Sequence, residues 1–479
     1  WLLPLDADFE APLRELERSF WAEKVFGGTL GIVWAETTLH PGDFADVKAA
    51  RERLETALGT AKDRKAERLM TEPKFFEREE IHHVCQVCEL TPMDNENQTC
   101  TLCDNHEEAG KMLPHTAALA QDVALRWGWG TSLQPPDLTP PLDEIGKKLR
   151  LLTADEVTRL RSERWEGDLL LRGVNRFPED MQRPDIIPGR WNIATAAPIL
   201  DETVLDFEQI ANLSRGAPLL SVLKADADRM GLLFSRGIHP PTFSRTMALS
   251  ATIHRFFGEY LDQLCREMTE QWKTTTRNDP ALLEALERRG ARAWENLESI
   301  FYVLYAGGDD LFIIGPWDAM IDLALELRRK YRAYTCENPE FGLSAGLIFI
   351  KPHVPIQQFS KMADEAERAA KNDVRNRLTI WGQVLEWEKC HQLISIGKKW
   401  AALAQRTEKP LPRGLLNDLP RLGKTQAGPM FTPTLYYALV RRLRNWTQEE
   451  QSEFASQVLQ ISADLEVPAT YAIMLTRKE

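Results

Sequence analysis

The sequence predicts an α+β protein with a ferredoxin-like (βαββαβ) domain, a four-cysteine zinc module before it and a C-terminal helical bundle after it. Three observations support this fold class. Strand-like and helix-like segments alternate between residues 218 and 372, two CxxC pairs occur near residue 90, and apolar residues recur at helical spacing beyond residue 384.

The central segment follows the order of the split βαβ motif: strand, helix, strand, strand, helix, strand, helix. Short apolar runs predict its strands, and apolar residues three and four positions apart predict its helices. The predicted strands are Leu219–Ala225, 301–304, 311–314 and Leu343–Ile350, and the predicted helices are Phe243–Gln271, Trp317–Tyr334 and Pro355–Lys371.

A Gly-Gly-Asp-Asp sequence at 307–310 occupies the turn of the predicted hairpin. Two adjacent ionised carboxylates on a tight turn repel each other unless a cation or hydrogen-bond donors compensate. Magnesium gives such compensation when it bridges a carboxylate and substrate phosphates. Glycines, which lack Cβ, let a nucleotide approach the backbone. Taken alone, the four residues are also compatible with an ordinary turn.

The topology gives this motif a partner. In the ferredoxin-like order the first strand pairs with the hairpin, so Asp226 is expected to face Asp309 and Asp310 across the sheet. Carboxylates converging from two strands suit a two-metal site with Mg²⁺ or Mn²⁺, which would activate a 3′-hydroxyl and neutralise a triphosphate.

Three segments resemble a known family. Residues 223–231, the Gly-Gly-Asp-Asp hairpin and residues 363–371 are similar to the catalytic palm of the large signature subunit of type III CRISPR effector complexes. Diguanylate cyclases and class III nucleotide cyclases share the same landmarks more loosely. The cysteine module and the helical C-terminus separate the CRISPR subunit from these cyclases.

The resemblance implies a function and site residues. The family polymerises ATP into cyclic oligoadenylate when target RNA is bound, beside backbone, crRNA 5′-end-binding and small helical subunits. ATP is then the substrate, and crRNA and target RNA are partners. The implied catalytic and magnesium ligands are Asp226, Asp309 and Asp310, and the implied nucleotide contacts are Gly307, Gly308, Lys371 and Asn376.

The cysteines predict a structural zinc site. Cys85 and Cys88 form one CxxC pair, and Cys100 and Cys103 form the second after eleven intervening residues. Four thiolates close a tetrahedron around Zn²⁺ and leave no open position for chemistry. His82, His83 and His106 are alternative ligands. The other cysteines lie in helical, apolar contexts typical of reduced interior thiols.

Outside these motifs the sequence is less specific. A strand-like run at Thr29–Glu36 and a helix from about Asp43 to Met70 are compatible with the family's first palm or with an ordinary strand and helix. Residues 134–141 are expected to form a linker, residues 142–215 a mostly irregular region with a short helix near 155–164, and residues 410–423 a long loop between helices. The expected domains are a first, palm-like remnant at 1–80, the zinc module and connecting domain at 81–215, the catalytic palm at 216–383 and the helical bundle at 384–479.

One feature of the family is missing from the sequence. The family commonly begins with an HD nuclease domain, yet the sequence contains no His-Asp dipeptide and begins with Trp1. Either the nuclease was lost or it lies outside this chain. We expect no DNase activity from the chain as given.

The net charge of −12 argues against an independent nucleic-acid binder, so RNA would be met beside more basic subunits. No apolar run has the length of a membrane span, and a cytoplasmic location is expected. In the C-terminal region Tyr436, Tyr437 and Trp446 are expected to be core aromatics rather than base-stacking platforms.

Three functions remain open from the sequence. The first is an ATP-polymerising cyclase in an RNA-guided complex. The second is a diguanylate cyclase, which the Asp310-Leu311 sequence, the zinc module and the helical tail disfavour. The third is a catalytically silent scaffold of the same ribonucleoprotein, which the intact aspartates disfavour, because a scaffold needs no converging carboxylates.

Overall fold

The computed structural model shows how these segments fold. It describes residues 11, 13–14, 32–64, 67, 70, 84–88, 99–122, 149–162, 169–174, 186–191, 194–201, 203–291, 293–372, 374–424 and 431–477. Two compact units are present: the first comprises residues 1–193 and 231–252, and the second comprises residues 194–230 and 253–479.

The first unit contains helices and a four-stranded sheet. A 3₁₀ turn at Pro41–Phe44 precedes the first helix. The sheet has the order β2-β1-β3-β4, in which β3 and β4 are parallel and the other pairs are antiparallel. Its elements are α1 (Lys48–Asp63), α2 (Thr101–Met112), β1 (Ala118–Asp122), β2 (Leu149–Leu152), α3 (Ala154–Ser162), β3 (Leu169–Val174) and β4 (Ile186–Trp191).

The second unit is built on a six-stranded sheet of order β12-β11-β10-β7-β9-β8. A small ribbon and a short helix precede it, and helices connect its strands. In chain order these elements are β5 (Ile199–Leu200), β6 (Thr203–Val204), α4 (Phe207–Asn212), β7 (Leu220–Ala227), α6 (Leu261–Arg277), α7 (Pro280–Arg288), β8 (Tyr302–Gly307), β9 (Asp310–Pro316), α8 (Trp317–Tyr334), β10 (Leu343–Ile350), α9 (Ile356–Lys371), β11 (Arg377–Ile380) and β12 (Gln383–Glu386). Helix α5 (Phe243–Arg255), between β7 and α6 in the chain, belongs to the first unit up to residue 252.

This sheet confirms the predicted ferredoxin-like order. Strand β7 is central and lies between β10 and β9, both antiparallel to it. The predicted bounds of α8 and β10 agree with the structure residue for residue. A π-helical turn at Phe256–Tyr260 separates α5 from α6, and a further short helix and π turn span Met230–Gly237.

The faces of the sheet determine which side chains meet. Side chains alternate along a strand, so Lys224 and Asp226 continue the face of Leu220 and Val222. That face packs against Phe359 and Ala363 of α9 in one apolar cluster. Each buried aliphatic or aromatic side chain contributes about 1.5–3 kcal/mol, so this cluster fixes α9 over the strand that carries Asp226.

Helices form the C-terminal region, as expected. Buried Trp400, Leu439, Phe454 and Ala472 belong to a single core cluster. The helices are α10 (Trp387–Ala404), α11 (Arg413–Lys424), α12 (Phe431–Arg442), α13 (Gln448–Gln460) and α14 (Glu466–Leu475). No described helix has both the length and the hydropathy of a membrane span.

Several local predictions were wrong. Residues 32–36 of the expected strand have no regular secondary structure and pair with no described strand. The expected first helix is shorter, because it ends at Asp63. Strands β2, β3 and β4 lie in a region predicted to be mostly irregular. The 134–141 linker lies outside the described residues.

Two predictions about the C-terminal region also fail. The expected long loop around Pro420 contains helix α11, with Pro420 inside it. Tyr436 and Tyr437 are 43% and 67% exposed, because they lie on the outer face of α12, whereas Trp446 is in the core as expected.

Candidate functional site

The predicted aspartates meet at one end of the central strands. Asp226 lies directly opposite Asp310 in the antiparallel pair of β7 and β9. The amide of Ala227 donates to the carbonyl of Asp309 at 2.8 Å, which ties the hairpin turn to the end of β7. All three aspartate side chains are partly exposed. The expected convergence across about eighty residues of sequence is therefore present in the backbone pairing.

The paired glycines form the turn itself. Gly307 pairs with Asp310 in the hairpin. Gly308 has φ +66°, a conformation that costs an L-residue roughly 1–2 kcal/mol. Its amide donates to Nδ1 of His254 at 3.5 Å. A Cβ on Gly308 would meet nothing within 4 Å, so the space beside this turn is open to a ligand.

Lys371 lies at the centre of the site. Its Nζ atom is 2.8 Å from Oδ2 of Asp226 and 2.5 Å from Oε1 of Glu367, one turn earlier on α9. Glu367 is buried, with 6% of its surface exposed. A second ion pair joins Lys224 of β7 to Asp364 of α9. Helix α9 therefore contributes two carboxylates, Asp364 and Glu367, and one ammonium group, Lys371, to the face that carries Asp226.

Gly346 explains how α9 comes so close. A Cβ at this position of β10 would lie 2.5 Å from the amide nitrogen of Glu367 and 2.7 Å from the backbone of Ala366. Since real Cβ atoms do not approach backbone that closely, only glycine permits this packing. The close contact sets the height of Glu367 and Lys371 above the sheet.

Burial and neighbouring charge shift the pKa values of the site. Burial raises the pKa of Asp226 to about 6; Lys371 opposes this shift, and the charges of Asp309 and Glu367 add to it. Burial and the adjacent Asp310 raise the pKa of Asp309. Burial alone would lower the pKa of Lys371, but its hydrogen bonds to Asp226 and Glu367 outweigh this and raise it. The site thus holds excess negative charge that a cation would relieve.

Asn376 is engaged differently from its expected nucleotide contact. The backbone amide of Asn376 donates to the carboxylate of Asp228 at 2.8 Å. Its side-chain oxygen accepts from the backbone amide of Leu343 at 3.3 Å. Asp228 is 4% exposed and also accepts from the hydroxyl of Ser344 at 2.7 Å. These bonds join three chain segments next to the aspartate site, a role in which Asn376 supports the fold.

Sequence reasoning missed two residues of the site. Tyr305 Oη donates to Oδ2 of Asp310 at 3.0 Å, and burial raises the pKa of this tyrosine, with Asp310 adding to the shift. Glu367 was not singled out, although its spacing of four residues from Lys371 is a signal for a helical ion pair. Tyr305 carried no comparable signal, because the β-bulge between Val303 and Tyr305 changes the register of β8.

The donor set of the aspartate site suits divalent cations. Carboxylate oxygens are the ligands that Mg²⁺ and Mn²⁺ prefer, and Asp226, Asp309 and Asp310 supply three carboxylates. Across the described part of the chain, however, only the four cysteines bring three or more metal-ligating atoms within 4.8 Å of one another. The aspartates therefore fit in chemistry and strand position, and Lys371 occupies one oxygen, Oδ2, of the Asp226 carboxylate.

The cysteine cluster is a separate candidate metal centre in the first unit. The Sγ atoms of Cys85 and Cys103 are 3.7 Å apart and those of Cys88 and Cys100 are 3.9 Å apart. Four thiolates about 2.3 Å from zinc lie about 3.8 Å from one another in a tetrahedron, so the spacing matches. His82 and His83 lie outside the described residues, as does the side chain of His106.

Backbone donors support the thiolate form of one cysteine. The amides of Val87 and Cys100 donate to Cys85 Sγ at 3.4 and 3.3 Å. Burial alone would raise the pKa of Cys85, but backbone hydrogen bonds outweigh it and lower the pKa. Metal-binding cysteines are thiolates, so these amides favour the ligand form.

Comparison with known proteins finds a family model that matches the same region. A family model described as the second palm domain of Cas10/Cmr2 matches residues 219–379, a range that contains the aspartates, both glycines and α9. The chain is also similar to a Methanocaldococcus jannaschii protein named as the single-strand-specific deoxyribonuclease Cas10/Csm1 of subtype III-A. The two are 28% identical over 268 residues, covering 50% of this chain and 30% of that protein.

Solved structures share the fold over almost the whole chain. A Csm1–Csm4 cassette in complex with one ATP matches 98% of this chain and 61% of that one, with a TM-score of 0.63 and 18% identity. A Csm1–Csm4 cassette in complex with cA4 matches 98% and 60%, with a TM-score of 0.64 and 17% identity. The chain thus spans less than two thirds of each of these proteins.

Proposed function

We propose that this chain, which belongs with the Cas10/Csm1 large subunits of type III-A CRISPR systems, polymerises ATP into cyclic oligoadenylate at its palm site when target RNA is bound. The observation that carries the proposal is the pairing of Asp226 with Asp310 across the two central strands, with Asp309 on the adjoining turn. Similarly folded Csm1–Csm4 cassettes have been solved with ATP and with cA4.

Each residue of the site has a distinct role in this proposal. Asp226, Asp309 and Asp310 would hold the divalent cations. Bound Mg²⁺ or Mn²⁺ supplies charge neutralisation for the triphosphate and lowers the pKa of the attacking 3′-hydroxyl. Gly307 and Gly308 leave the turn without side chains, so that phosphate oxygens reach backbone amides.

Lys371 changes partner in the same scheme. It binds Asp226 in this structure and would turn to the phosphates once Asp226 is taken by a cation. Glu367 stays in contact with the ammonium and keeps it within reach. Asn376 keeps the neighbouring segments in register through Asp228.

The assembly follows from the same similarity. We propose that the chain works in a ribonucleoprotein with a Csm4-type subunit, further backbone and small helical subunits, crRNA and target RNA. Zn²⁺ bound to Cys85, Cys88, Cys100 and Cys103 would order the module around them and take no part in the chemistry. The deoxyribonuclease activity in the relative's name belongs to a protein of which this chain matches 30%.

The test uses the assembled complex with ATP, Mg²⁺ or Mn²⁺, and cognate target RNA. Oligoadenylate should form only with cognate RNA, and the Asp309→Ala/Asp310→Ala variant should lose at least about a hundredfold in turnover while still assembling. The matched control is Glu365→Ala, an exposed position on α9, which should keep full activity. Products from GTP alone would instead indicate a diguanylate cyclase.

A second candidate is a scaffold without catalysis. The ion pair of Lys371 with Asp226 favours it, as does the spacing of the aspartates, because among the described residues only the cysteines bring three ligand atoms within 4.8 Å of one another. In that case the complex would assemble and bind target RNA, but no nucleotide would be consumed under any of these conditions.

A further inference from the structure

A large cavity in the second unit is separate from the aspartate site. Its volume is about 1800 Å³, and its walls include parts of α6, α8, α10 and α14. None of the aspartates, glycines or lysines of the palm site lines it. Ten arginine or lysine side chains line it against seven carboxylates. In a chain whose overall charge is −12, this local excess of positive charge indicates an anionic ligand.

Arg328 on α8 is the most unusual residue of this lining. It is 8% exposed, and no carboxylate of the described residues forms an ion pair with it. Its Nη1 donates to the carbonyl of Phe341 at a long 3.5 Å, and its Nε has no hydrogen-bond partner in the described structure. A buried guanidinium that pairs with no carboxylate is costly; Glu388 and Asp228 act on Arg328 only through longer-range attraction.

Arg332, one turn further along α8, adds a second cation. It reaches Glu388 at 3.0 Å and Glu337 at 2.7 Å. Burial lowers the pKa of Arg328, and the like charge of Arg332 lowers it further. Since an arginine stays protonated even so, the two guanidiniums repel each other. An anion between them would remove that repulsion.

The start of α10 faces the same space. This helix is 18 residues long, and its N-cap residue, Glu386, makes no side-chain capping hydrogen bond. The cavity is lined by Trp387, Glu388 and His391 from its first two turns. A helix N-terminus carries partial positive charge and free amides. The N-terminus of α10 and the buried Arg328 are two separate observations. Both favour an anionic ligand.

We infer that the Arg328 end of this cavity is a binding site for a small, phosphate-rich anion, such as inorganic polyphosphate or the phosphates of a nucleotide. Guanidinium groups and a helix N-terminus are the donors that phosphate groups prefer in proteins. Glu388 has a 64% exposed side chain, so its carboxylate turns to solvent when the anion takes its place on Arg332.

The aromatic lining argues for a small ligand over single-stranded nucleic acid. Trp272, Trp387 and Tyr471 are only 6%, 3% and 3% exposed. Bases bind single-strand sites by stacking on exposed rings, and these buried rings present no such face. Phosphate groups would be recognised here, and bases would not.

The test titrates the full chain with inorganic tripolyphosphate and follows calorimetric binding and thermal stability at constant ionic strength set with NaCl. The wild type should bind saturably. Arg328→Met should weaken binding about tenfold or more, while Arg421→Met, at an exposed arginine that is paired with Asp418 and lies outside the cavity lining, should bind like the wild type.

A second readout shows that the variant is folded. Arg328→Met removes a buried charge that pairs directly with no carboxylate, so without ligand it should melt at or above the wild-type temperature. Unchanged binding in Arg328→Met, absence of saturable binding in the wild type, or tighter binding of a single-stranded oligonucleotide than of tripolyphosphate and ATP would overturn the inference. Binding should persist in Asp309→Ala/Asp310→Ala, because this site is independent of the palm.

Discussion

The ammonium of Lys371 lies 2.8 Å from the carboxylate of Asp226, the residue that pairs with Asp310 across the centre of the sheet. In the proposed function, a divalent cation and Lys371 compete for the same carboxylate. The binding of cations and the binding of nucleotide phosphates would then be linked through this one side chain, because a lysine that leaves Asp226 becomes available to phosphate.

Replacing Lys371 by methionine should have opposite effects on the two ligands. Mn²⁺ should bind the empty site more tightly, because its competitor is gone, whereas ATP should bind more weakly, because a phosphate contact is lost. Mn²⁺ titration monitored by electron paramagnetic resonance and steady-state KM measure the two effects. Lys361→Met, at an exposed position on the same helix, is the control. Weaker binding of both ligands would contradict the competition.

Cation binding should depend on pH in a defined direction. The pKa of Asp226 in the cation-free fold is about 6, so a proton competes with the cation below that pH and not above it. Affinity for Mn²⁺ should be flat between pH 7 and 8 and fall by about tenfold for each unit below pH 6. Asp226→Asn should bind weakly with no such slope. A wild-type affinity independent of pH down to 5 would be inconsistent with this assignment.

The two glycines of the turn should differ in their tolerance of alanine. Gly308 has φ +66°, so Gly308→Ala should destabilise the fold by roughly 1–2 kcal/mol. Gly307 does not need a positive φ, and a Cβ there would only touch His254 at 3.9 Å. Gly307→Ala should therefore keep its urea midpoint but lose turnover if nucleotide approaches the backbone. Full activity of Gly307→Ala would remove it from the nucleotide site.

The packing of α9 on β10 should depend on Gly346. A Cβ there would overlap the backbone of Glu367 and Ala366, so Gly346→Ala should cost about 1–3 kcal/mol and displace Lys371. Urea unfolding gives the stability, and Mn²⁺ affinity reports on the site. Gly414→Ala, where a Cβ would meet nothing within 4 Å, should be nearly neutral. Equal stability of the two variants would disprove the close contact.

The cysteine cluster should hold one zinc ion per chain. Elemental analysis of purified protein should find it, and Cys88→Ser should lose it together with protease resistance of residues near 84–112. Cys336→Ser, at an exposed cysteine outside the cluster, should retain the metal. Protein that is free of zinc yet equally resistant would refute a structural role for the metal.

The central strands could be predicted because both faces are buried. Leu343–Ile350 is a continuous apolar run, and the structure has the same bounds. The hairpin of β11 and β12 was missed, since each strand has four residues and the turn between them needs positive φ at Trp381 and Gly382. Strand β4 contains Pro188 and Gly189, two residues that normally argue against a strand.

The site was predicted in its carboxylates but not in its supporting residues. Asp226 and Asp310 followed from topology, which fixes strand neighbours. The burial of Glu367 depends on how closely α9 approaches the sheet, and that distance is set by Gly346, which is remote in sequence. A glutamate on a charged helix resembles a solvated residue until this contact is known.

Gly346 also limits how Lys371 can respond to a ligand. Because the backbone of α9 packs directly against β10, the helix has no room to move closer to the strand. Lys371 must then exchange Asp226 for a phosphate by rotating its own partly exposed side chain, a motion of picoseconds to nanoseconds. This rotation is therefore too fast to be the rate-limiting step of the proposed activation, which would lie elsewhere in the assembly.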